Sequence, residues 1–316
     1  MSTWRLWRLL RQPPLDHPLY QRGVTSYSLS PALRHRLWLT VLFIMFVSGC
    51  GGIFFPRLQW LLPFTLLMVA PVLLLIYFIG SGTFFGAFWA VTIASRVATE
   101  RQRGTFDLLC LSPSGAFGVC RVMASARLDR EGHLHSLYAQ KATLSMAAAG
   151  LVIFLALFLA DDPGFYGGVP SWLYISSYGL IVVAAFYVDF IQSVVIAVLI
   201  GLLMPTRTTD PFDARVWAVG SFLFAQVSVY VLTWLIGFHA LSALYEGAGI
   251  TGIVADLSLA ALRLLIFCGM REVIVIGLWL ALADALNVDR STAIALTGLP
   301  QLHSPLSTQP KRLSPR

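Results

Sequence analysis

Long apolar blocks separated by short charged segments dominate this chain. They cover residues 37–55, 58–79, 83–95, 142–160, 172–204, 216–238 and 261–287. Most approach or exceed the ~20 residues that span roughly 30 Å of hydrocarbon. Only 12% of the 316 residues are charged and 57% are hydrophobic, with a mean hydropathy of +0.76, whereas soluble domains carry about 25% charged residues. The expected fold class is all-α: a polytopic integral membrane protein with about six transmembrane helices and one short cytoplasmic helix.

The charges that remain set the expected organisation. Residues 1–36 form a basic N-terminus, 37–99 the first transmembrane helices, 100–141 a cytoplasmic segment, 142–287 the remaining transmembrane helices, and 288–316 a proline- and serine-rich tail read as disordered. The net charge of +7 comes from basic residues at both ends and around the central segment, which mark cytoplasmic sides of a membrane rather than a nucleic-acid surface. Within 1–36, W-R-L-W-R-L-L-R at 4–11 puts Leu6, Trp7, Leu9 and Leu10 on one helical side and arginines on another. That suits a short helix lying in the membrane interface; a disordered basic tail is the alternative. No secretory signal is expected, because no short apolar run is followed by a small-residue cleavage site.

Three apolar blocks precede the central segment, yet both flanks are basic, which favours an even number of crossings. The preferred reading is two crossings, with one block tilted, re-entrant or running out of the bilayer as a helical extension towards Glu100. The other is three crossings with the N-terminus outside. Gly80-Ser81-Gly82 is a plausible bend, and Gly82 with Gly86 forms a small-xxx-small pair that lets helices approach closely. Further on, the Lys- and Arg-free loop after 160 is expected outside. Pro205 to Arg215 is expected as a short inner loop, and 239–260 as an external or re-entrant segment. The last block, interrupted by Arg271-Glu272, reads as one kinked span or as a span followed by an interfacial helix.

Several chemistries are missing. Neither of the two lysines, Lys141 and Lys311, follows a glycine, so a phosphate-binding P-loop is excluded. No histidine is followed by Glu, and the G-x-S-x-G nucleophile elbow is absent. Cys110, Cys120, His133 and His135 do not have the spacing of zinc ligands, and with Cys50 and Cys268 they give no reason to expect disulfides. One carboxylate stands out. Asp189 lies near the middle of the 172–204 block, where a charge costs a few kcal/mol. Asp189, Gln192 and Ser193 share a helical face. They are either a polar stripe along a translocation path or a buried helix contact in which Asp189 pairs with Arg263 or Arg271.

The central segment, S-R-V-A-T-E-R-Q-R-G-T-F-D-L-L-C-L-S-P-S-G at 95–115, carries the sharpest local pattern. A helix through Arg96, Glu100 and Arg103 is expected to stop at Gly104, which accepts a left-handed backbone. Thr105 then caps a second short helix, with Asp107 in its first turn. Leu108, Leu109 and Leu111 give it an apolar side, and Pro113 ends it. A helical stub between two sharp breaks suits docking better than catalysis.

Glu100, Arg101, Arg103, Gly104, Thr105, Asp107, Leu108, Leu109 and Pro113 resemble the E-R-x-x-G-T-hydrophobic-E-x-L-x-x-x-P pattern of the permease subunits of type 2, exporter-like ATP-binding-cassette (ABC) transporters. Asp107 stands where that family usually has Glu, and Phe106 where it often has Leu. The resemblance covers about 20 residues, extended by the expected order of two spans, charged segment and four spans. The longer, more polar 116–141 segment, the missing Gly-Lys there and the extra apolar block depart from it. The resemblance implies a plasma-membrane permease, not itself an enzyme, with no cofactor of its own. A separate ATPase subunit holding ATP and Mg would dock on residues 100–113 as a coupling helix. A second permease copy or paralogue and membrane lipids would be the other partners, with no nucleic acid. The alternative is a secondary transporter or intramembrane enzyme that uses buried charges such as Asp189 and Arg271-Glu272.

Overall fold

The computed structural model describes residues 2–12, 17–18, 20–21, 61–111, 115–130, the positions 138, 141–143, 145–146 and 149–150, and residues 165–166, 169–208, 210–250 and 252–288. Side chains of the second helix are described from Gly80 onwards. The fold is mostly helical. Its helices are α1 (Ser2–Arg11), α2 (Leu61–Gln102), α3 (Thr105–Cys110), α4 (Gly115–Arg130), α5 (Ser171–Arg207), α6 (Pro211–Trp234), α7 (Leu241–Gly247) and α8 (Ile253–Ala285). A π-helical turn, Leu235–Ala240, joins α6 to α7. The strands among the described residues are two short pieces, β1 (Phe165–Tyr166) and β2 (Val169–Pro170), paired antiparallel just before α5.

Three helical stretches among the described residues are long and apolar enough to cross a membrane: Leu173–Arg207, Pro211–Gly247 and Ile253–Ala285. Helix α5 is the central one. It packs on α2, α6 and α8 along its length and touches α1 and α4. Its residues Phe190 to Leu203 are almost all buried. The outward side of α6, with Trp217, Phe224 and Val227, is exposed, as an apolar face turned towards lipid would be.

Helix α2 joins two of the three apolar blocks that precede Glu100. It runs unbroken for 42 residues, about 63 Å at 1.5 Å per residue, roughly twice the hydrocarbon thickness. The 83–95 block is therefore a helical continuation of the block before it, reaching through Glu100, and Gly80-Ser81-Gly82 does not interrupt the helix. Helix–helix packing explains why. A Cβ on Gly82 would lie 3.0 Å from the Asp189 carboxylate, and one on Gly86 would lie 2.3 Å from the Phe222 ring. The two glycines let α2 close on α5 and α6, which offsets the ~1 kcal/mol that glycine costs inside a helix. The 37–55 block, most of 142–160 and the 288–316 tail (apart from Val288) lie outside the described residues.

Other expected boundaries shift for local reasons. The loop after α5 is short, since α5 continues through Pro205 to Arg207. Asp210 then caps α6 by accepting from the Phe212 N–H at 3.0 Å, with Pro211 in the first turn. Asp213 and Arg215 are thus helical rather than loop. The 239–260 segment is helical to Gly247, turns at Gly249 (φ 65°) and Gly252 (φ 103°), and re-enters helix at Ile253. Arg271-Glu272 interrupts nothing, because α8 is continuous across both.

The N-terminal helix exists but is docked on protein. Leu6, Trp7 and Leu10 join the main core, while Arg5, Arg8 and Arg11 stay exposed. Its first residues reach α8: Ser2 Oγ donates to Glu272 at 2.6 Å, and Thr3 donates through its N–H at 3.2 Å and through its hydroxyl. The segment after the stub, expected to be polar and cytoplasmic, begins with α4, whose Val119, Cys120, Ala124 and Leu128 are buried in the same core.

Gly86→Leu is expected to destabilise the protein by about 1–3 kcal/mol through overpacking. Phe222→Ala in the same chain should recover part of the loss, because it removes the ring that the new side chain strikes. Denaturant unfolding of the detergent-solubilised protein followed by circular dichroism measures both.

Candidate functional site

Two constellations carry the unusual chemistry, and α5 takes part in both. The first lies where α2, α5, α6 and α8 meet. Arg271 on α8 is fully buried, at 0% exposure. A buried guanidinium is tolerated only when its charge is matched and its N–H groups are used. Here Nη1 donates to the Asp189 backbone oxygen at 3.0 Å and to Ser193 Oγ at 2.7 Å. Nη2 donates to Gln226 Oε1 at 2.5 Å and forms the ion pair with the Asp189 carboxylate. Those four contacts match the four hydrogens on the two Nη atoms.

The partners close on one another. Gln226 Nε2 donates to Ser193 Oγ at 2.8 Å, and the Tyr230 hydroxyl donates to Asp189 Oδ1 at 3.1 Å. Gln226 and Tyr230 are one turn apart on α6, as Asp189 and Ser193 are on α5, so each helix supplies two groups at i, i+4 spacing. The Phe267 ring, 4.7 Å from the guanidinium carbon, covers the cation, and Tyr230 lies at 5.5 Å. Arg271 Nε and Gln192 Oε1 have no hydrogen-bond partner among the described residues.

Of the three residues expected to form a polar stripe, Asp189 and Ser193 both contact Arg271. Gln192 is buried beside them but turns its amide to the Cys268 backbone oxygen at 3.4 Å. Arg263, the other partner considered for Asp189, is engaged elsewhere. It donates to the Gly237 carbonyl at 2.9 Å and to Ser242 at 3.0 Å, over the Phe238 ring. The π-helical turn carries that carbonyl; such turns widen a helix and misalign its carbonyls. Sequence reasoning missed Gln226 and Tyr230. A glutamine isolated inside an apolar span was the available signal, because a buried amide needs a polar partner.

The second constellation is the elbow from α2 to α4. Helix α2 ends at Gln102, and Gly104 takes the expected left-handed conformation, φ 69° and ψ 5°. The stub α3 has six residues with Asp107 in its first turn, and Gly115, at φ 64°, makes a second break before α4. Pro113 lies outside the described residues. Thr105 does not cap α3. Its hydroxyl turns back to the Glu100 carboxylate at 2.6 Å, because an ionised acceptor holds a donor more strongly than a neutral one does. Glu100 also pairs with Arg96 at 2.9 Å.

The expected apolar side of the stub is redistributed. Phe106 is its buried anchor at 3% exposure, while Leu108 and Leu111 are 69% and 82% exposed. Leu109 packs on the core edge. Asp107 and Arg103 are exposed. Arg101 ties the elbow to α5 by donating to the Pro205 carbonyl at 2.6 Å, with its guanidinium over Phe106. Behind the stub, burial pushes the Cys120 thiol up to about 12, so it stays a neutral thiol at physiological pH. Burial, aided by Asp107, also raises the Cys110 thiol. Cys110, Cys120 and Cys268 are free. No group of three metal-ligating side chains occurs among the described residues; His133, His135 and Cys50 lie outside them.

No protein-family profile, no curated protein and no solved structure matches this chain.

Asp189→Asn or Arg271→Met alone is expected to cost about 3–5 kcal/mol, because either leaves the other charge buried and unmatched. The double variant should lose clearly less than the sum of the two. A double-mutant cycle by chemical unfolding in detergent checks this.

Proposed function

We propose that this chain is the transmembrane permease subunit of an ATP-driven transporter of the ABC type, an exporter, coupled to a separate ATPase through residues 100–113. The observation that carries this reading is the elbow. A short helix displays Asp107, Leu108 and Leu111 outward. The same element is fastened inward through Phe106, through Glu100–Thr105, and through Arg101 to the end of α5. An exposed leucine pair beside a carboxylate suits a protein contact. A push on α3 reaches α2 and α5 together, and those two helices meet at the Arg271 cluster.

On this reading, ATP and Mg are held by the partner subunit, and its closure moves α3 as a rigid lever. Two permease copies, or this chain and a paralogue, would face each other in the plasma membrane, each crossing it about six times. Rigid-body movement of helices packed as tightly as α2 and α5 would switch access from one side to the other. The Arg271 cluster supports a role in holding the bundle together, since its charges are matched within the protein.

Leu108→Asp and Asp107→Lys are expected to weaken ATPase binding by about tenfold or more, as truncation of a central contact residue does. Membrane insertion and folding should be unchanged. Gly104→Val should uncouple ATP hydrolysis from transport, because a β-branched residue strains at positive φ. Co-purification with a candidate ABC ATPase subunit, together with ATPase stimulation in proteoliposomes, measures these effects. An active transporter purified without any ATPase, with proton- or sodium-linked activity abolished by Asp189→Asn, would overturn the reading in favour of a secondary transporter.

A further inference from the structure

Helix α1 roofs a cavity of about 230 Å³ that lies between it, α4, α5 and α8. Leu6 and Leu10 line it from above, Leu199 and Leu202 from α5, and Phe117 stacked on Trp279 (ring centres 4.7 Å apart) from α4 and α8. Among the described residues lining it, Arg121 is the one charged side chain. Its guanidinium donates to the Leu9 and Gln12 backbone oxygens at 3.1 and 2.8 Å. The chamber walls are therefore hydrocarbon, and an apolar cavity excludes water and accepts apolar matter.

The roof is fastened at both ends by charges of the sign its dipole asks for. The Glu272 carboxylate takes Ser2 and Thr3 at the N-terminus, and the Arg121 guanidinium takes the last carbonyls at the C-terminus. The outer face of the roof presents Arg5, Arg8 and Arg11. Two of the walls, α5 and α8, are long and apolar enough to cross a membrane. A hydrocarbon chamber beside a basic amphipathic helix, on spanning helices, has the complementarity of a single ligand type: an acyl chain joined to an anionic headgroup.

From this we infer that the chamber under α1 is a binding site for an anionic phospholipid of the surrounding bilayer, with an acyl chain between α5, α8 and α1 and the headgroup on the arginine face. The inference does not depend on the transporter reading. The site is at the elbow end of α5, so its occupant holds α1 against the helices that the elbow joins.

The test uses the full chain in nanodiscs made with phosphatidylglycerol or with phosphatidylcholine, then stripped in detergent and weighed by native mass spectrometry. The wild-type chain is expected to retain phosphatidylglycerol. Leu199→Trp, which fills the chamber, should lose it. Val273→Trp, on the exposed side of α8, should keep it. Arg5→Gln with Arg8→Gln should lower the preference for phosphatidylglycerol over phosphatidylcholine by about tenfold or more, at about 1 kcal/mol per arginine. If Leu199→Trp fails to fold, a phosphatidylglycerol carrying a photoactivatable acyl chain decides the matter on the wild-type protein. Crosslinks at Leu6, Leu199 or Trp279 support the site. Crosslinks confined to the outward side of α6, equal retention of both lipids, or retention untouched by a folded Leu199→Trp variant would overturn it.

Discussion

A buried guanidinium governs the packing of this protein. Arg271 sits where α5, α6 and α8 meet, fully buried, and a charge there is tolerated only if other helices bring groups to it. Helix α5 brings Asp189 and Ser193, α6 brings Gln226 and Tyr230, and α8 itself brings Phe267. Helix α2 contributes by absence, since Gly82 leaves the room that the Asp189 carboxylate occupies. Between apolar helices in lipid, hydrophobic burial barely distinguishes one register from another, because lipid tails are as apolar as leucine. Hydrogen bonds with fixed geometry do distinguish them, so the cluster sets the rotation of α5, α6 and α8 about their axes.

The neighbouring residue uses the same physics for a different purpose. One position along α8 turns the side chain about 100° round the axis, so Glu272 points away from Arg271 and towards the N-terminal helix. There it accepts from Ser2 and Thr3, while Arg121 holds the other end of α1. The elbow repeats the pattern at the end of α2. Glu100 is held between Arg96 and Thr105, and Arg101 reaches α5. Polar contacts thus connect the peripheral elements to spanning helices at a few points.

Some of this was legible before any coordinates. Apolar blocks of spanning length announced helices, and three helices among the described residues are long and apolar enough to cross a membrane. Gly104 was readable as a helix stop because glycine takes φ 69° without the Cβ strain most residues meet there. Asp189 was readable as anomalous because of its place in an apolar run, and one of its two suggested partners is the partner found. Thr105 was misassigned as a cap because local rules weigh the nearest backbone donors and do not weigh a carboxylate one turn back. Gly80-Ser81-Gly82 suggested a bend because propensity counts glycine against a helix, and what offsets that cost is the fit of α2 against α5 and α6.

The sequence by itself determined that the chain is largely helical, with helices long and apolar enough to cross a membrane, where its charged segments fall, and that it contains no P-loop. Those properties follow from the spacing of residue types along one dimension. Only the tertiary structure decided that Arg271 rather than Arg263 takes Asp189, and that Gln226 and Tyr230 complete the cluster. It also decided that α1 packs on protein above an apolar chamber, and that Phe106 rather than the leucines anchors the stub. Each of these depends on which faces of separate helices meet, a matter settled by shape and by hydrogen-bond geometry between residues as far as 270 positions apart.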